Sequence, residues 1–101
     1  MIRTAALDDI LRQVERYAAQ NLPAIARRFA AAALTAIETA TENPAAGQPH
    51  AAMPGLHSRP IKGFTDFALY YRLDTAEPTI LRVLHTKRDL EATPQKTKET
   101  P

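Results

Sequence analysis

Six basic side chains fall between residues 57 and 88: Arg59, Lys62, Arg72, Arg82, Lys87 and Arg88. Only Asp66, Asp74 and Glu77 oppose them in that stretch. This half of the chain therefore presents positive charge outward. Arg72 and Arg82 are side chains able to bind phosphate, and His85 can carry a proton near neutral pH. No carboxylate or tyrosine is paired with His85 by spacing, so that set is incomplete. Each residue has a plainer reading. Arg72 and Arg82 serve equally well as solvated side chains or as partners of Asp or Glu. His85, at a strand end, can bond the backbone. Asp89 can cap the last turn or pair with Arg88.

Other chemistries find no residues to carry them. There is no cysteine, which removes a thiol nucleophile, a disulfide framework and any Cys-based zinc site. His50, His57 and His85 are scattered and make no metal-ligand pattern. No phosphate-binding glycine loop, dinucleotide fingerprint or nucleophile elbow is present. No cofactor, metal or small-molecule substrate is expected.

The chain has 101 residues, 45% of them hydrophobic, with a net charge of +2 and a pI of about 9.2. That is the size of one domain with a thin core, part of whose surface a partner can complete. No run is long enough to span a bilayer, and Met1–Thr4 is not followed by a signal-peptide core. A cytoplasmic protein is expected.

The basic residues must be positioned by the elements around them. Residues 5–19 follow helical spacing, with Leu7, Ile10, Leu11, Val14 and Tyr17 inward. Asp8, Asp9, Arg12, Glu15 and Arg16 take the other face, and Thr4 is a candidate cap. Pro23 opens a second helix over 23–42, with Ile25, Phe29, Ala33, Ala36, Ile37 and Ala40 as its apolar stripe. The alanines allow a close antiparallel helical hairpin. Residues 43–56 read as a loop rich in turn formers. Three strands follow, over 56–62, 67–73 and 79–85, with a turn at 74–78. Alternation puts Tyr70 and Tyr71 on opposite faces. It sets Leu81 and Val83 against Ile80, Arg82 and Leu84. Lys87–Ala92 fits one helical turn, and 93–101 a disordered tail outside a single domain of residues 1–92. The class is α+β: an N-terminal antiparallel helical hairpin packed on one face of a small antiparallel sheet of three to four strands.

Certain runs within this order are characteristic: Pro54-Gly55-Leu56, Arg59-Pro60-Ile61, Phe67-Ala68-Leu69-Tyr70-Tyr71-Arg72, Ile80-Leu81-Arg82-Val83-Leu84-His85 and Arg88-Asp89-Leu90. With Leu11, Val14, Tyr17, Ala26, Phe29, Asn43-Pro44 and Gly47, they resemble the RelE/ParE superfamily over about residues 4–91. The resemblance implies the toxin of a type II toxin–antitoxin system. One departure stands out. Family members usually open with a strand, and here only Met1–Arg3 precede Thr4, so that strand is stubby or absent: either the start is misassigned or the sheet has a bare edge there.

The ParE-like branch, which this chain resembles better, implies inhibition of DNA gyrase by binding. Arg59, Lys62, Arg72, Arg82, Lys87 and Arg88 would then be the target-binding surface. On that reading Arg82→Ala reduces toxicity and leaves the fold intact. The RelE-like branch implies cleavage of mRNA on the ribosome, with Arg72, Arg82 and His85 as the catalytic set. An inactive toxin that only binds its antitoxin is the third alternative. All three imply an antitoxin whose disordered, often acidic segment folds along the toxin. Its contacts are expected on the outer groove of the hairpin, near Phe29 and Leu34.

Overall fold

The computed structural model describes residues 1–51, 53–73 and 77–89. Helix α1 spans Thr4–Ala19 and helix α2 Pro23–Glu42; a 3-10 turn follows at Pro44–Ala46. The strands are β1 (Gln48–Pro49), β2 (Leu56–Ile61), β3 (Phe64–Arg72) and β4 (Thr79–His85). They form one antiparallel sheet in the order β1-β2-β3-β4. Asn21, at φ 61°, takes the reversal between the helices; asparagine tolerates this left-handed conformation better than most residues. Pro23 occupies the first turn of α2, and α2 stops before Pro44.

The helices cover one face of the sheet. Ile10 from α1, with Phe29, Ala33, Ile37 and Ala40 from α2, meet Ile61, Phe67, Leu69, Tyr71, Ile80 and Val83. Phe29 is at the centre, its ring 4.9 Å from that of Phe67, 5.2 Å from Phe64 and 5.9 Å from Tyr17. The alanines of α2 bring its backbone close to the sheet. Tyr71 is buried in the core and Tyr70 is half-buried on the other face.

Three features differ from the sequence reading. Leu7 and Leu11 are exposed, while Asp9 and Gln13 are buried. The reason is where α1 lies: it runs beside β4, the outer strand of the sheet, so its inner side meets strand-edge N–H groups, which need acceptors. Second, β4 carries an irregularity. Tyr70 pairs with Arg82 but Tyr71 pairs with Ile80, leaving Leu81 as the extra residue. The bulge shifts the alternation, so Ile80 joins Val83 in the core. Third, β3 starts at Phe64, and the 43–56 loop contains the short strand β1.

Residues 86–89 form a turn. The rest of the expected helical turn, most of the 74–78 turn and the 93–101 tail lie outside the described residues. Met1–Arg3 run beside the start of β4. Ile2 makes a parallel bridge to Ile80, Arg3 N–H donates to the Ile80 carbonyl at 2.9 Å, and Ile80 N–H donates to Met1 at 2.8 Å. Among the described residues no helix is long and apolar enough to cross a membrane.

Candidate functional site

The N-terminal stub covers only the start of β4. Further along, two carboxylates accept from the outward N–H groups of the strand. Val83 N–H donates to Asp9 Oδ2 at 2.9 Å, and His85 N–H donates to Asp89 Oδ2 at 3.0 Å. These contacts close a strand edge that would otherwise present unpaired donors.

Each carboxylate gathers arginines. Arg82 donates from Nε to Asp9 Oδ2 at 2.8 Å and from Nη2 to Oδ1 at 2.9 Å, a two-point fork. Arg12 adds a 3.2 Å contact one helical turn away. The Asp9 side chain is 5% exposed, so these donors are what make burying its charge tolerable. The hydrogen bond to Asp9 is also the main cause that lifts Arg82 above the ordinary arginine range, with partial burial opposing it.

Around Asp89, Arg88 donates from Nε to Oδ1 at 3.2 Å and from Nη2 to Oδ2 at 3.1 Å. Its Nη2 also reaches Gln13 Oε1 at 3.2 Å, and its guanidinium lies 5.7 Å from the Phe67 ring centre. Arg12, Arg16, Arg82 and Arg88 thus share a cavity of about 80 Å³ with Asp9 and Asp89. Four cations against two anions leave the pocket positive, able to hold an acidic or phosphate group.

The hydrogen bond from Arg88 is the main cause that holds the Asp89 carboxyl below its usual value. Partial burial opposes it and the His85 N–H reinforces it. With a depressed folded-state value, the unfolded chain binds more protons as pH falls, so stability drops with pH. The contribution is complete above the unfolded value of about 3.9 and is lost as pH falls through the lower folded one. Asp89→Asn is therefore expected to lower the urea midpoint by a constant amount between about pH 5 and 8. That gap should close below about pH 4. A gap that persists unchanged into acid would show that the Asp89 charge contributes nothing.

The six basic residues do not form one surface. Arg82 and Arg88 join the β4 edge, and Lys87 is exposed in the turn beside it. Arg59 and Lys62 line a separate cleft against α2. Arg72 follows the core residue Tyr71 and so lies on the uncovered face. His85 pairs with Phe67 and lies on the covered one. Arg72 is five positions along β3 from Phe67, roughly 17 Å. Arg72 and His85 are thus at opposite ends and on opposite faces of the sheet. His85 Nδ1 accepts the N–H groups of Arg88 at 2.9 Å and Lys87 at 3.2 Å, so the proton of the neutral ring is on Nε2.

Phe29 is 0% exposed, because the aromatic cluster closes around it, and it offers no contact to a partner; Leu34 is 54% exposed. Arg12 and Arg16 escaped the sequence reading. Their signal is the polar stripe Asp9-Arg12-Gln13-Arg16, which repeats at helical spacing. Among the described residues no group of three or more His, Asp or Glu is placed to hold a metal ion.

Residues 1–90 match the model of the family described as ParE toxin of type II toxin-antitoxin system, parDE. No curated protein matches the chain.

Proposed function

The chain belongs to the ParE toxin family of type II toxin–antitoxin systems, and from that premise we propose that it arrests growth in the cytoplasm by binding DNA gyrase and is neutralised by a cognate antitoxin. The observation that favours binding over cleavage is the separation of Arg72 from His85. Placed at opposite ends and on opposite faces of the sheet, they cannot both reach one phosphate. A binder needs a surface and no such convergence. The β4 edge supplies one, since its arginines are held by Asp9 and Asp89 while Arg12 and Arg88 remain 56% and 40% exposed. The antitoxin is served by the hairpin, where Leu7, Leu11 and Leu34 are exposed. Such side chains suit the apolar face of an amphipathic helix.

Expression in a bacterium without the antitoxin is expected to stop growth with DNA-damage signalling, and the purified protein to inhibit gyrase supercoiling. Unimpaired supercoiling with ribosome-dependent mRNA cleavage would favour the nuclease reading instead. Harmless expression would favour a chain that only binds its antitoxin. The exposed Arg16 gives a sharper test. Arg16→Glu should raise the concentration for half-inhibition about tenfold, the loss of one charge-assisted contact. Its stability should stay within about 0.5 kcal/mol of the parent. An unchanged inhibition curve would remove the β4 edge from the working surface.

A further inference from the structure

Arg59 pairs with Leu69 across the sheet, so it shares the helix-covered face. Arginine is rarely placed there without a carboxylate. At the β4 edge, Arg82 and Arg88 each have one. Arg59 has none among the described residues, where its Nη1 is a buried side-chain nitrogen with no hydrogen-bond partner. A buried donor left unmet is unfavourable, and folded proteins rarely leave one without cause.

The residue also borders open space shaped for a guest. A cleft of about 310 Å³ opens between α2 and β2, bounded by Ala32, Thr35, Ala36, Arg59, Pro60 and Lys62. It exists because Ala32 and Ala36 do not reach across to the strand. Lys62 is exposed and adds a second cation. Among the described residues no acidic side chain lines the cleft, so none of them compensates its charge. The alanines and Pro60 form apolar walls that suit methylene groups.

We propose that this cleft receives the carboxylate of a glutamate or aspartate side chain from an acidic peptide segment, whose two oxygens accept hydrogen bonds from the guanidinium of Arg59. The proposal rests on the reading above, in which that segment belongs to the antitoxin. A guanidinium fork matches a carboxylate in two parallel hydrogen bonds, and Lys62 adds a point charge. The cleft is separate from the four-arginine pocket, so both can be filled at once.

Side-chain and backbone NMR on the whole chain tests this at constant ionic strength, with three probes: acetyl-Leu-Glu-Leu-amide, its glutamine analogue and inorganic phosphate. The glutamate peptide should give saturable shifts of the Arg59 Nε–H and of the Ala32 and Ala36 amides. The glutamine analogue should bind about tenfold more weakly, as loss of a charged hydrogen bond implies. Equal binding of the two peptides would reduce the cleft to an apolar groove, and tighter saturation by phosphate would make it a phosphate site. No saturation by any probe would overturn the proposal. Arg59→Gln should abolish the response. If that variant does not fold, Lys62→Gln, at an exposed position, should still weaken glutamate binding several-fold, and unchanged binding would count against the site. The titration does not depend on toxicity. An antitoxin that relieves growth arrest and binds Arg59→Gln as tightly as the parent would overturn the site and keep the family reading. Failure to find any neutralising partner, with the peptide still bound, would do the reverse.

Discussion

Asp9→Ala is expected to destabilise the protein by about 3 kcal/mol, with a fall in Tm on the order of 15 °C. The substitution takes away one small side chain but strands several donors. Val83 N–H loses its acceptor, and Arg82 loses both contacts of its fork. A buried unmet N–H costs about 1–3 kcal/mol and a broken buried ion pair about 3–5. The sum is not reached, because the Arg82 side chain is 29% exposed and can turn to water. Arg82→Ala should cost roughly half as much, since Asp9 keeps Val83 N–H and Arg12. Arg82 is therefore a poor probe of toxicity alone, since its removal is expected to lower stability as well. Urea unfolding of both variants and their double mutant measures the coupling. An Asp9→Ala loss under about 0.5 kcal/mol would show that the edge is closed by something else.

Much of the fold was legible because period and punctuation report it. Pro23 and Pro44 bracket α2, and alternation reveals β3 and β4. What escaped was whatever depends on distant partners. Asp9 belongs to the polar side of α1 when only the helix is considered. It is buried because a strand edge 74 residues later needs an acceptor. The same docking left Leu7 and Leu11 outside: a helix beside an outer strand covers less apolar surface than one laid over the sheet's middle. Leu81 became the bulge through pairing with β3, which no alternation pattern within β4 records. Arg59 reads as an outward strand residue until Ala32 and Ala36 are seen to leave a cleft over it. Phe29 lay on the right stripe, and for that reason is core and not surface.

The closing of the sheet edge and the building of the charged surface are one event. A stub of three residues protects β4 only as far as Ile80. Beyond it, carboxylates take over at Val83 and His85, and buried carboxylates require cations. Arg12, Arg82 and Arg88 answer that requirement and thereby become an ordered array at the surface.

Gly47→Ala is expected to be the more severe substitution at a residue remote from that edge. Gly47 has φ −70° and ψ 162°, which any residue adopts, so the effect is one of space. An added Cβ would lie 2.0 Å from the Tyr71 hydroxyl oxygen, 2.8 Å from Cζ and 3.2 Å from the Ser58 carbonyl oxygen. Tyr71 cannot retreat. It is fully buried, its hydroxyl donates to the Pro44 carbonyl at 2.5 Å, and its ring stacks on His57 at 5.6 Å. Burial holds that hydroxyl above its ordinary pKa, while Arg59 and the Gly47 N–H oppose the rise. Overpacking of this kind costs about 1–3 kcal/mol, and loss of the buried hydroxyl contacts adds about 1–3. A total near 4 kcal/mol is a large share of the roughly 5–15 that holds a domain together, so the variant should unfold on the order of 20 °C below the parent. Tyr71→Phe removes the atom in closest conflict. Alone it should cost about 1 kcal/mol, since one buried hydrogen bond is lost. In the Gly47→Ala background it should instead restore stability, in part, because Cζ stays close. Thermal unfolding of the two single variants and the double variant decides the matter. A double variant weaker than Gly47→Ala alone would mean that the clash is relieved by movement of the 44–47 turn and not borne by Tyr71.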